Sequence, residues 1–406
     1  MKTWRINGIL LFGALCLLWA ASCSPEANGL RSDQVAVQRS AGANPGPSIY
    51  ASASAAFSPD GKHIVIGFRH TSRNKYEGPM WKMWDTATGK EVQTYWQNID
   101  YDKRYPDVDF ISYLPDGKGV LTVDEQGMCQ IWDAKKDKVL REFKIGEPHA
   151  FRCALSADGS RLLTVRISEV QLWNLNAAKS IAQPEVGDYN IRTVAIWPDG
   201  KWAVFRYTTP TQGQRTYSFL YDFEKKKRTD FAIPNKNTES ATLHPFLISP
   251  DGKAVIAHKY HRENAGVVLC DAATLREQKQ IRPLLPRDEV SLAVLAGFTP
   301  DSQILFMLDN AYKNRNYGWK LRCRDMKSNE DFWLKSDERE IVEPRLMVPS
   351  PNGDTVLLVP KGLYASGLFG LKSVLLSTKT GEVKLQLDSN VFPDGPLLRP
   401  DQKDRK

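Results

Sequence analysis

The residues able to do chemistry are thinly spread. His258 and His261 stand three apart in "HKYH". In an extended strand that spacing turns the two rings to opposite faces, so the pair does not chelate a metal by itself. His63, His70, His149 and His244 are scattered singly. The chain contains no Gly-x-Ser-x-Gly, no His-Glu-x-x-His and no phosphate-cradling glycine loop. Its most regular acidic residues, Asp60, Asp116, Asp158, Asp199, Asp251 and Asp301, sit in turns, where a carboxylate has a sufficient structural task as a cap. No catalytic residue, metal ligand or cofactor is therefore expected.

Those aspartates mark the elements that position everything else. Seven turns align: Ser58-Pro-Asp-Gly, Leu114-Pro-Asp-Gly, Ser156-Ala-Asp-Gly, Trp197-Pro-Asp-Gly, Ser249-Pro-Asp-Gly, Thr299-Pro-Asp-Ser and Ser350-Pro-Asn-Gly. Their spacings are 56, 42, 41, 52, 50 and 51 residues, the interval of propellers or solenoids. An apolar or alternating run precedes each turn ("FRCAL", "RTVAI") and a second follows it ("KHIVIGF", "RLLTVR", "KWAVFRY"). A third run ends in a fixed manner, as in "KMWDTATGK", "QIWDAKKDK" and "FLYDFEKKK", and a short fourth follows. Trp84, Trp132, Trp173 and Tyr221 close the third run in the first four units and are expected to fill the space between blades. Cys129 and Cys153 fall in step with Ile131 and Leu155, which reads as buried thiols. A disulfide between neighbouring blades is the alternative in an oxidising setting.

Four strands per unit over seven units resembles a WD-repeat β-propeller, carried best by "FSPDGK…KMWDTATGKEV" and "LPDGKGVLTVDEQGMCQIWD". The resemblance implies an all-β fold, a seven-bladed β-propeller of four-stranded antiparallel blades over residues 50–388. The chain departs from that family's pattern. The Gly-His pair before the first strand is missing, and with it the hydrogen-bonded His–Asp–Ser–Trp set. Units five to seven replace the terminal Trp by Cys270, Arg324 and Ser377. The resemblance further implies closure by strand exchange, with residues 381–388 lying beside the first strand near Ser52–Phe57.

In such a ring the connections between second and third strands share one face with the connections between units. Five of the former are long: residues 69–79, 208–216, 259–266, 310–318 and 360–371. Residues 97–107 and 234–244 join them there. Their basic and tyrosyl residues, Arg73, Lys75, Tyr76, Tyr101, Arg104, Tyr260, Arg262, Tyr312, Arg315 and Tyr317, are the types that anchor interfaces. Leu363, Tyr364, Leu368 and Phe369 add an apolar loop. The expectation is a non-enzymatic protein-binding or scaffold module using this face. Two other readings stand beside it. Resemblance to propeller hydrolases and lactonases would place a channel-mouth site at Asp309, Asn310, His258 or Asp124. A sensor for a small envelope ligand would need a pocket beneath the loops.

At the N-terminus, Lys2 and Arg5 precede an apolar run from Gly8 to Leu18, too short to span a bilayer and suited to a signal peptide. Ala20-Ala21-Ser22-Cys23 resembles a bacterial lipobox, with alanine where that motif prefers leucine. The resemblance implies a lipoprotein signal peptide over 1–22 and a lipidated Cys23. Residues 23–49 then act as a flexible linker spanning on the order of 25–30 Å, and residues 389–406 are a polar tail. The formal charge of +8 falls to +6 without Lys2 and Arg5 and is not gathered into blocks. Nucleic acid is therefore not an expected partner; the expected partners are the membrane, through the lipid, and unidentified envelope proteins. The domain is expected to be monomeric, in the bacterial cell envelope, on the outer rather than the inner membrane. Replacing Cys23 by Ala is expected to release the chain from the membrane fraction and abolish labelling by radioactive palmitate. Retention of both would refute the anchor.

Overall fold

A computed structural model describes residues 50–70, 80–95, 107–187, 189–208, 216–231, 242–261, 264–286, 293–313, 316–336, 344–360 and 373–387. These residues form 28 strands and no helix. The strands make seven four-stranded antiparallel sheets, each built from four consecutive strands: residues 50–95, 108–144, 151–182, 190–230, 242–286, 293–336 and 344–386. The chain is a seven-bladed β-propeller.

The second strand of every blade is apolar on both sides, as in β6 (Gly119–Asp124), where every residue is buried. Such a strand lies between two other blades, so both of its faces need cover. Seven of the eight buried apolar clusters each join two successive blades. Trp84, Trp132 and Trp173 lie in three of these wedges, each packed on the preceding blade, and half-buried Tyr221 borders a fourth. Trp81 is fully buried, stacked on Tyr95 with ring centroids 3.5 Å apart and edge-on to Trp132 at 5.9 Å.

The recurring turns share one geometry. The fourth residue of each donates its N–H to the carbonyl of the first, from Gly61 to Ser58 at 2.8 Å through Gly353 to Ser350 at 3.0 Å. That fourth residue has a positive φ, which glycine adopts without cost. Ser302 alone among the seven does so with a side chain, at φ 61°. Where the turn opens on serine or threonine, the third residue's side-chain oxygen accepts from that hydroxyl, as in Ser58 to Asp60 at 2.6 Å, and from the backbone beyond it. A second bond repeats in all seven blades. The residue that opens the turn after the third strand donates to the carbonyl just past the first turn, as in Thr86 to Lys62 at 2.9 Å. Both turns of a blade therefore lie on one face, the turn face. The remaining connections lie on the other, the connection face.

Two expectations are corrected. Among the described residues there is no strand exchange. β28 (Val383–Gln386) pairs with β27 (Val374–Ser377) inside the last blade, and β1 (Tyr50–Phe57) pairs with β2 (His63–His70) inside the first. The ring closes through side chains: Phe57, Ile64, Ile66, Phe68 and Trp84 pack on Leu357, Val359, Leu375 and Leu387. Nor is the tryptophan hydrogen-bond set wholly lost. Trp132 donates its indole N–H to Thr122 Oγ1 at 3.0 Å, and Trp173 to Thr164 Oγ1 at 3.1 Å. These pairs tie the third strand to the second within blades two and three.

Thr122→Val leaves the Trp132 N–H buried and unmet. It is expected to cost about 1–3 kcal/mol, and combined with Trp132→Phe it should cost less than the two single losses together, because the donor it orphans is gone. Urea unfolding of the four chains in the cycle checks this, and simple additivity of the two losses would show that the bond contributes nothing.

Candidate functional site on the connection face

In blades five and six the second and third strands stay paired far into their connection on the connection face. β18 (Ala254–His261) and β19 (Asn264–Asp271) pair without interruption out to His261 and Asn264. β22 (Ile304–Lys313) and β23 (Asn316–Asp325) pair out to Lys313 and Asn316. The segments 259–266 and 310–318 are thus mainly paired ribbon rather than the long loops expected of them. The outer strand β20 (Glu277–Pro286) follows the first ribbon, with Ala265 opposite Leu285. Such pairing fixes backbone polar groups that an open loop would leave to water.

Of the proposed contact residues, Tyr260 lies on the blade-five ribbon, half-buried, between Thr242 and Ala265. Tyr312 and Tyr317 are opposite one another on the blade-six ribbon. Arg73, Lys75, Tyr76, Tyr101, Arg104, Arg262, Arg315, Leu363, Tyr364, Leu368 and Phe369 lie outside the described residues, as does Cys23.

Beneath the ribbons, the wedge between blades five and six holds a chain of alternating charges. Arg282 pairs with Asp309 at 2.8 Å, and Asp309 also meets Arg322 at 3.4 Å. Arg322 pairs with Asp331 at 2.8 Å, and Asp331 with Arg324 at 2.7 Å. Arg324 also donates to the Ile281 carbonyl of blade five. It thus stands where the earlier blades carry an aromatic, and grips the preceding blade by hydrogen bonds instead. Charges this buried persist only when each has a partner. Sequence reading missed the network, although "LRCRD" carried a signal: two arginines at strand alternation in a third strand, the second at the position that the first four blades fill with an aromatic.

Three residues of the hydrolase reading, Asp309, His258 and Asp124, do not assemble, and the side chain of Asn310 lies outside the described residues. Asp309 is held by two arginines inside the wedge. His258 is fully buried in blade five, stacked on Phe246 at 4.3 Å and edge-on to Tyr260 at 6.3 Å. Among the described residues no group of three or more histidine, cysteine or acidic side chains is arranged to hold a metal.

Asp124 belongs to blade two. It ends β6, and its Oδ1 accepts from the backbone N–H of Gln126 and of Met128, both at 2.9 Å. Its Oδ2 is buried without a hydrogen-bond partner. Burial pushes this carboxyl up to about 6, and the charges of Asp109 and Asp107 add to the rise. Asp109 is the extra residue of a bulge in β5 (Val108–Tyr113) and accepts the Phe151 N–H of blade three at 2.6 Å. Cys129 and Cys153 stand nearby as free thiols, both pushed upward by burial and so far from the reactive thiolate form.

Between about pH 4 and 6, folded Asp124 keeps a proton that the unfolded chain, with the ordinary value of 3.8, has released. Its contribution to stability therefore falls as pH rises through that window. Asp124→Asn keeps the Oδ1 acceptor and removes the charge. It is expected to gain about 1–3 kcal/mol at pH 7, with the gain vanishing towards pH 4. Urea midpoints of both chains across this range check it; a pH-independent difference would place the carboxylate in a solvated or paired site.

No known protein family matches the chain, and no curated protein matches it. Among solved structures, Kuenenia stuttgartiensis hydrazine synthase is similar to it with a TM-score of 0.48 and 18% identity, covering 66% of this chain and 76% of that one.

Proposed function

We propose that this chain is a divergent WD-type propeller that works as a lipid-anchored, exported binding or scaffold module, engaging an envelope protein through its connection face. The observation that carries the reading is the pair of ribbons on blades five and six. They carry Tyr260 and the Tyr312–Tyr317 pair on hydrogen-bonded strands of the connection face. A tyrosine on a paired strand loses little further freedom on docking, which favours it as an anchor. The turn face offers no comparable projection among the described residues, because both of its turn sets are closed tightly on themselves. The lipid on Cys23 and residence on the outer membrane belong to the same proposal and rest on the N-terminal residues alone.

The test is cross-linking from intact envelopes with two baits, the native chain and one carrying alanine at Tyr76, Tyr260, Tyr312, Tyr317 and Phe369. A discrete protein captured by the first and lost from the second is expected. Equal capture by both baits, or capture of nothing, would remove the case for this face.

A further inference from the structure

One turn of blade two holds more than its own hairpin. It runs from Asp124 at the end of β6 to Met128 at the start of β7 (Met128–Asp133). Glu125 donates its N–H to the Asp107 carbonyl, at the entry to the blade, at 2.8 Å. The connection to blade three is laid on the same turn. Ile145 donates to the Gly127 carbonyl at 2.8 Å, and His149 to that of Glu125 at 2.7 Å. The fit is close, since a Cβ on Gly127 would stand 2.2 Å from the Gly146 carbonyl oxygen. Ile145 and Phe151, at the two ends of this connection, are buried in the wedge between blades two and three. Glu147, Pro148 and His149 between them are exposed, and both segments lie on the connection face.

Asp124 fastens the turn. Its Oδ1 takes the N–H groups of Gln126 and Met128, while its Oδ2 is buried with no hydrogen-bond partner, on a residue only 1% exposed. A buried charge persists only with a partner, so the ionised carboxylate is ill-housed here and the protonated acid is not. The surrounding groups supply no counter-charge. Asp107 and Asp109 are acids whose charges push the Asp124 carboxyl further up, and Glu125 adds another acid in the turn itself. Burial keeps the Cys129 and Cys153 thiols neutral. Lys144 of β8 (Val139–Lys144) pairs with Glu147 at 2.9 Å, and Arg166 of β10 (Arg161–Arg166) with Glu169 at 2.5 Å. The His149 ring lies 3.3 Å from the Ala150 carbonyl. Strand alternation sets Asp124 on the side of Val120, towards blade one. The blade-one side chains clustered in that wedge, Val65, Met80, Trp81, Met83 and Tyr95, carry no charge.

We propose that Asp124 is a proton-operated latch on the connection face: protonated, it keeps the turn and the connection laid on it closed, and loss of the proton opens both to water. Opening hydrates Oδ2, so the ionised form gains from it and the acid does not. Closed, the carboxyl stands at about 6 against the ordinary 3.8, so closure is firmest below that window and weakens as pH rises through it. Ile145 and Phe151 are apolar anchors that do not titrate, which confines the opening to the segment between them and to the turn beneath. The latch is independent of docking on the ribbons.

The test is amide hydrogen exchange on the full chain, purified in detergent, from pH 4 to pH 7, corrected for the intrinsic pH dependence of exchange. Protection of the Glu125, Gln126, Met128, Ile145 and His149 amides is expected to fall on the order of 50-fold across that range. Leu121 and Ile131, in the body of the same blade, should keep theirs. Asp124→Asn retains the Oδ1 acceptor but cannot ionise, and should hold the low-pH protection throughout. His149→Gln should follow the native chain. Level protection in the native chain overturns the latch. So does a fall that survives in Asp124→Asn or disappears in His149→Gln. An equal fall at Leu121 and Ile131 also overturns it, because the whole blade would then be opening.

Discussion

A four-stranded sheet with two apolar faces and no helix to cover either can be stable only between two others like it. That constraint governs this molecule. Each wedge between successive blades holds its own cluster of buried side chains, and no single centre serves the whole ring. The turns obey the same constraint. The proline of one turn lies against the glycine of the next blade's turn: a Cβ on Gly159 would stand 2.5 Å from Cδ of Pro115, and one on Gly117 3.6 Å from Cδ of Pro59. Glycine at this position therefore meets two demands at once, a left-handed backbone and room for the neighbouring blade.

The wedges are not chemically alike. Between blades one and two the filling is aromatic, with Trp81, Tyr95 and Trp132 in mutual contact. Between five and six much of the binding is ionic, and Arg324 does by hydrogen bonding what a tryptophan does elsewhere. An apolar wedge tolerates small shifts because dispersion is non-directional, whereas a chain of paired buried charges tolerates few. Both ribbons belong to the blades that meet at the ionic wedge, so they stand on a directional joint.

The repeat was legible because proline, aspartate and glycine act locally, and seven copies turn weak matches into a firm phase. The third-strand aromatics were legible for the same reason. The ribbons were not. Above the body of the ring a strand has no neighbouring blade to bury against, so "KYHRENAG" and "NAYKNRNYG" keep a polar composition although their backbones are paired. The Trp–Thr bonds were hidden differently: Thr122 and Thr164 meet their tryptophans across strands, and only the register of the sheet reveals it. The expected exchange of strands came with the resemblance, and the pairing within the first and last blades shows a ring that closes without it. Most of the proposed contact residues belong to connections outside the described strands, so there composition remains the guide.

The way the chain enters and leaves the ring gives it a direction. Tyr50, the first residue of β1, is opposite His70, and Gln386, the last of β28, is opposite Val374. Both positions lie at the connection-face end of their strands. The described chain therefore both begins and ends on the side that bears the ribbons, on the inner strand of the first blade and on the outer strand of the last. The ring is thus one-sided in its covalent links: one face carries both ends of the described chain, and the other carries only closed turns.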